Sequence, residues 1–255
     1  DSLAKVCNEA VDDRIDGLTP SVAMPIYSVQ DHATSTYVRN PDRWCEGVNL
    51  TGVSPWNSTG KGKRGGTLVS PRHILFSHQY PIANGAQVRF VTGNNKVVLR
   101  TMIDSERVES TDLMVGLLNA DVPGSISFLK VFPENVLDYL PNLNHGYWLP
   151  TLGVDQYQNA TIQDIFALGE SVVAKPPYDE TRQSFYLGKT GHDAGCPCIA
   201  LVENQPVLVT LWQFGGSGAG PGIHAMIEDI NAVMSNLGGG YSLTEFEISG
   251  YIDYS

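Results

Sequence analysis

From Gly66 onward the chain is written in short apolar runs separated by turn residues, and that rhythm constrains the fold more than any other feature. Apolar runs of roughly 4–8 residues bounded by Gly, Pro, Asn or Asp are too short for ordinary helices and read as strands. Gly66 to Val69, His73 to Phe76, Gln87 to Thr92, Lys96 to Met102 beyond a Gly93-Asn94-Asn95 turn, and Leu113 to Leu117 make one group. Thr161 to Leu168, Ser171 to Ala174, Ser184 to Leu187, Ile199 to Val202, Val207 to Leu211 and Gly222 to Met226 make a second. Before both, only Ala23 to Val29 and Thr36 to Val38 have the same character. The 26 Gly and 15 Pro suit many turns and exclude a helical bundle.

Helical spacing is confined to the two ends. Leu3, Val6, Cys7, Ala10, Val11 and Ile15 recur on one face behind Asp1 and Ser2, which can cap, and Gly17 and Pro20 stop the pattern. Ile227, Ile230, Val233, Met234 and Leu237 repeat it, and Gly238-Gly239-Gly240 ends it. Between the strand groups, Asp121 to Asn144 holds three prolines and no clean period, with a helical turn expected over Glu134 to Tyr139. The organisation expected is an N-terminal helical segment (1–20), a first strand unit (21–120), a crossing segment (121–145), a second unit (146–240) beginning near Gly146-Tyr147-Trp148, and an extension (241–255). In the extension, Leu243, Phe246, Ile248 and Ile252 predict a packed strand.

Charge narrows the partners. A net charge of -11 opposes binding to nucleic acid or to an anionic membrane, both of which require clustered Lys and Arg. The densest basic run, Lys61-Gly62-Lys63-Arg64, reads as a solvated approach to a strand or, more sharply, a cleavage site. No stretch reaches the roughly 18 apolar residues of a membrane span. The chain starts at Asp1 without Met, as a processed secreted protein does, and an extracytoplasmic location is expected. Asn49-Leu50-Thr51, Asn57-Ser58-Thr59 and Asn159-Ala160-Thr161 match the glycosylation pattern. Four cysteines permit three full pairings; Cys196 and Cys198 are too close in sequence to suit each other, and Cys7 with Cys45 is the expected bridge. A metal site on Cys196, Cys198 and His192 lacks a second ligand pair at zinc-like spacing.

Three segments carry possible chemistry. Thr190-Gly191-His192-Asp193-Ala194-Gly195-Cys196-Pro197-Cys198 is a tight loop of small residues, suited to aiming backbone N–H groups at one point. Gly65-Gly66-Thr67-Leu68-Val69-Ser70-Pro71-Arg72-His73-Ile74-Leu75-Phe76-Ser77-His78 ends a strand, turn, strand sequence on a histidine, and Ser110-Thr111-Asp112-Leu113-Met114-Val115-Gly116-Leu117-Leu118 opens a strand on an aspartate. In this order the three resemble the histidine, aspartate and nucleophile segments of the trypsin-like serine proteases. Pro221-Gly222-Ile223-His224 before the terminal helix is similar to that family's Pro-Gly-Val-Tyr, so the resemblance runs from Gly65 to Leu237.

The resemblance implies an all-β fold of two packed six-stranded antiparallel β-barrels, here with an N-terminal and a C-terminal helix. It implies His78 as general base, Asp112 as its orienter, position 194 as nucleophile, and the N–H groups of His192 and Ala194 as the oxyanion hole. His192 stands where the family has Gly. It further implies substrate contacts at Gly188, Lys189, Gln213, Phe214 and Gly215, with Thr190 and His224 nearby; Lys189 and His224 hint at an acidic or polar substrate side chain. The substrate implied is polypeptide, and no cofactor is required. The family's Ile-Val-Gly-Gly start is absent, so Asp193 must find another partner, either Lys189 or backbone N–H groups. Ala194 decides the activity, since a methyl group cannot attack a carbonyl. A disabling Ser-to-Ala replacement is the first expectation; a natural pseudoprotease that binds proteins or peptides is the alternative.

Overall fold

The computed structural model describes residues 1–140, 149–213, 215–216 and 218–255. It is mostly β. The first strand group forms a six-stranded antiparallel sheet in the spatial order Val53–Ser54, Gly66–Leu68, His73–Ser77, Leu113–Leu118, Val97–Arg107, Gln87–Val91. The sheet curls until its outer strands meet, where the Ser54 hydroxyl donates to the Arg89 carbonyl, leaving a nearly closed barrel. Leu68, Ile74, Phe76, Val88, Phe90, Met102 and Leu118 fill its interior. A Cβ at Gly116 would crowd this interior, 2.6 Å from the Met102 sulfur and 3.0 Å from an Ile74 side-chain carbon.

The second group gives a seven-stranded sheet: Ala219–Pro221, Ser171–Lys175, Ala160–Leu168, Leu149–Val154, Pro197–Val202, Gln205–Leu211 and Lys130–Val131. All neighbours are antiparallel except the last, where the crossing segment adds Lys130–Val131 parallel to Gln205–Leu211. One apolar core holds residues of both sheets, Leu75 and Val115 from the first with Leu152, Ile199 and Leu208 from the second. The hairpin of Tyr27–Asp31 with Thr36–Arg39 belongs to neither sheet. It is tied to both: Arg39 donates to the Val91 carbonyl of the first (2.7 Å), and the flanking Ile26 N–H and Trp44 indole donate to the Gln158 (2.9 Å) and Ala160 (2.8 Å) carbonyls of the second unit.

The helices fall where their apolar spacing puts them. Leu3–Ile15 is capped by Ser2, whose hydroxyl accepts from Lys5 N–H, and buries Leu3, Cys7, Ala10, Val11 and Ile15. Ile227–Leu237 ends on three glycines at positive φ, and Glu134–Tyr139 is a 3₁₀ helix. No described helix is long and apolar enough to cross a membrane.

Several expectations are corrected. Ser184 to Leu187 is no strand: Asp179 accepts from Thr181 and Arg182 N–H, and this cap winds Glu180–Gln183 into a helical turn that delivers Phe185 to the core. Gly222 to Met226 likewise turns into a 3₁₀ helix over Ile223–Met226. Helix Pro20–Ala23 takes the start of the strand expected from Ala23. The extension packs Leu243 and Ile248 but pairs with Val131 through Thr244 and Phe246 only, as a bridge rather than a strand. The Cys7 to Cys45 bridge is not made: all four thiols are free and buried, Cys7 in one core with Cys196 and Cys198, Cys45 in another. Asn57 is fully buried, its amide donating to the Arg64 carbonyl, so it is no sugar acceptor in the folded chain. The expected start of the second unit at Gly146-Tyr147-Trp148 lies outside the described residues.

Candidate active site

Strand His73–Ser77 runs antiparallel to Leu113–Leu118, with Ser77 opposite Leu113, so His78 and Asp112 emerge side by side at one end of the pair. The backbone N–H of His78 donates to the Asp112 carbonyl at 2.7 Å. The Asp112 carboxylate is buried and held on both sides of the histidine: Oδ2 accepts from the Ser77 hydroxyl at 2.5 Å and Oδ1 from Gln79 N–H at 2.9 Å. The His78 imidazole is exposed and makes no hydrogen bond among the described residues. His78, Asp112 and Gln213 line one cleft of about 340 Å³, together with Arg107, Glu170 and Met226.

The third segment closes on the same place. Gly195, at φ 86°, lies where an added Cβ would come within 3.1 Å of Ser77 N. Ala194, the residue before it, is buried. On the loop's other side Gly65 touches it: a Cβ there would stand 2.4 Å from the Gly195 carbonyl carbon and 2.5 Å from Cys196 N. Both atoms are backbone and cannot rotate away, so Gly65→Ala must push the loop off the His78 strand. We expect a loss of about 1–3 kcal/mol, the range for overpacking, read as a lowered midpoint in urea.

The loop is pinned from within. Asp193 is buried and accepts from two backbone donors, Gln156 N–H at 2.8 Å and Thr190 N–H at 2.6 Å. Of the two partners considered for it, backbone N–H groups are the ones found. Gly191–Asp193 form a single 3₁₀ turn, in which the Ala194 N–H points back to the Gly191 carbonyl over 3.4 Å while His192 N–H has no partner among the described residues. One of the two expected oxyanion donors is thus turned inward.

The substrate-side residues divide. Lys189 and Gly216 exchange backbone hydrogen bonds (2.6 and 3.0 Å), and Gly188, Thr190 and Gly215 are exposed beside them. Phe214 lies outside the described residues. The Lys189 side chain points neither to solvent nor to Asp193: it is buried, donates to Thr161 Oγ1 at 2.8 Å and lies 5.6 Å from the centre of the Trp212 ring. Trp212 is itself buried and packs on Gly218, where a Cβ would meet the ring at 2.4 Å. His224 is buried in its 3₁₀ turn, and that burial favours the neutral imidazole.

Burial pushes the Lys189 ammonium below its ordinary value. The unfolded chain keeps this proton to about pH 10.4 while the folded chain releases it earlier, so stability rises with pH across that window. Lys189→Met removes this contribution to the slope. It also stabilises the fold at neutral pH, by up to the roughly 1–4 kcal/mol seen when buried ionic groups give way to apolar side chains of like volume. Thermal unfolding at several pH values reads both effects.

The cysteines do not take the nucleophile's place. Burial raises Cys7 and Cys198 to about 12 and pushes Cys196 higher still, so these thiols stay protonated and inert. Among the described residues no three His, Cys, Asp or Glu side chains gather as a metal site needs, which removes the Cys196, Cys198 and His192 alternative. Ser77, Gln79 and Trp212 were not legible in the sequence as parts of the site. No protein-family model matches the chain, and no curated protein matches it.

Proposed function

We propose that this chain is a trypsin-like serine endopeptidase of two packed barrels whose nucleophile position is held by Ala194, with His78 as general base and Asp112 as its orienter. The observation that carries the reading is convergence: Gly195 abuts Ser77, and Asp112 grips the residues on either side of His78. The imidazole and the carboxylate thereby share one cleft, and the tight glycine loop packs against Ser77, the residue before His78. A hydroxyl at position 194 would give its proton to His78 as it attacks a peptide carbonyl, the imidazolium would be held by Asp112, and the same proton would pass to the leaving amine. No cofactor enters this chemistry. The substrate is an extended polypeptide, and an extracytoplasmic setting suits the reading.

The experiment is Ala194→Ser, assayed on a mixed peptide library and with a fluorophosphonate label beside the unchanged chain. Cleavage and labelling confined to the serine form support a protease with a disabled nucleophile. A folded but silent serine form turns the reading to a natural pseudoprotease that binds polypeptide in the same cleft. The inward turn of the Ala194 N–H favours that second reading.

A further inference from the structure

In a chain of net charge -11, residues 47–103 contain no Asp or Glu at all, yet hold Lys61, Lys63, Arg64, Arg72, Arg89, Lys96 and Arg100. Three of these seven fall in four consecutive positions, immediately before the Gly65 that packs on the Gly195 loop. The Lys61 to Arg64 run therefore carries a local charge opposite to that of the whole molecule, next to the Gly195 loop.

The side chains there are arranged on aromatic rings. The Arg64 guanidinium lies 3.9 Å from the centre of the Tyr80 ring, and Tyr80 in turn lies 5.5 Å from the imidazole of His192, in the loop of Ala194. The Lys63 ammonium sits between two more rings, 5.4 Å from Trp56 and 5.5 Å from Tyr157. Trp56 is stacked by His32 at 4.3 Å, and beyond them a shallow cavity of about 600 Å³ runs to the exposed Lys61.

None of the three cations has a carboxylate within ion-pair distance among the described residues. Buried Nη1 of Arg64 has no acceptor among the described residues. The nearest acids are already engaged. Asp155 accepts from Tyr157 N–H, Asn159 N–H and the Asn159 amide, and Asp31 accepts from the N–H groups of Ala33 and Thr34. Cations held on rings, with no carboxylate in ion-pair contact, are disposed to receive an anion from outside the chain.

We propose that the strip from Lys61 to Arg64, with Trp56, Tyr80 and Tyr157, binds an acidic segment of polypeptide. Charge complementarity selects the occupant: the strip is short, and the acidic remainder of the molecule repels a long polyanion such as nucleic acid. That the bound segment continues into a catalytic cleft rests on the protease reading; the binding itself does not.

The test titrates the unchanged chain into fluorescein-labelled hexaglutamate, with hexalysine and a short single-stranded DNA of similar charge as comparators, followed by anisotropy. Hexaglutamate should bind and hexalysine should not. Affinity should fall steeply between about 0.05 and 0.3 M salt, as the Debye length shrinks below the span of the strip. The double variant Lys63→Glu with Arg64→Glu should weaken binding by at least about tenfold. Lys61→Glu, at an exposed position, reads the same charge should the double variant misfold. Absence of hexaglutamate binding, binding indifferent to these reversals, or tighter capture of the DNA overturns the proposal. An Ala194→Ser form that stays silent while hexaglutamate still binds removes the protease reading and leaves the strip standing. One that cuts peptides while hexaglutamate goes unbound does the reverse.

Discussion

Ala194→Ser, with no other change, is expected to raise peptide hydrolysis by about 10⁵ to 10⁶-fold over the unchanged chain, the scale on which a lone serine nucleophile counts in such sites. Two features of the resting site set where in that range it falls. The first is the imidazole, which has no bond to Asp112 although both carboxylate oxygens are in use. A carboxylate oxygen carries two acceptor sites, so Oδ2 can keep the Ser77 hydroxyl and still receive His78; the side chain needs a rotation, not a vacancy. The second is the Ala194 N–H, turned to the Gly191 carbonyl over a long 3.4 Å. Giving up a hydrogen bond of that quality costs about 0.5–1.5 kcal/mol, which is at most about a factor of ten in rate. A tenfold penalty does not cancel a nucleophile worth a million. The control is His78→Ala in the Ala194→Ser background, which should return fluorophosphonate labelling to that of the unchanged chain. Labelling that survives loss of His78 would mean that the added hydroxyl reacts without this base, and the assignment of His78 would fall.

What could be read ahead of the structure was whatever depends on neighbours in sequence. The helix Leu3–Ile15 was legible because Leu3, Cys7, Ala10, Val11 and Ile15 share a face, and the strand pair that carries His78 and Asp112 because both strands are unbroken apolar runs. The misreadings came where a few residues obey two patterns at once. Ser184 to Leu187 alternates as a strand does, but the cap that decides its fate, Asp179, lies several residues upstream. Partnerships across the fold carry no local mark. Nothing near Cys7 says that its core is shared with Cys196 and Cys198 and not with Cys45. Nothing beside Lys189 announces that Trp212 will lie over it, or that Ser77 and Gln79 will take the Asp112 carboxylate. The residues of the candidate site were thus legible by type and order, while their hydrogen-bond partners were not.

Arg182→Met should cost about 3–5 kcal/mol, the range for breaking a buried ionic group from its partner, out of a total that for domains of this kind is roughly 5–15 kcal/mol. The guanidinium is buried between the N-terminal helix and the second sheet. It donates to both Asp12 oxygens (2.7 and 2.8 Å) and to the Asn8 amide oxygen (2.7 Å), which ties Leu3–Ile15 down. Its remaining nitrogen faces Asp164 Oδ1 at 3.7 Å. Asp164 is the reason for the size of the effect: it is fully buried on strand Ala160–Leu168, and its Oδ2 accepts from Tyr178 N–H at 2.9 Å while its Oδ1 has no hydrogen bond among the described residues. Remove the arginine and that carboxylate is left charged in a dry interior. Burial already holds its pKa above the ordinary carboxylate value. The folded chain therefore keeps a proton that the unfolded chain has released, and stability falls as pH rises above about 3.9 and through the raised folded value. In the variant this window widens, so mild acid should recover part of the loss, and Asp164→Asn in the same background should recover most of it at neutral pH. Asp12→Asn should cost less than Arg182→Met, since the asparagine oxygen can still accept a guanidinium N–H and Asp164 remains as a counter-charge to the arginine. Denaturant melts of the four forms at neutral and mildly acidic pH separate these contributions. Equal losses for Arg182→Met and Asp12→Asn would show that the arginine acts through the helix alone, and that Asp164 is neutral in the folded chain.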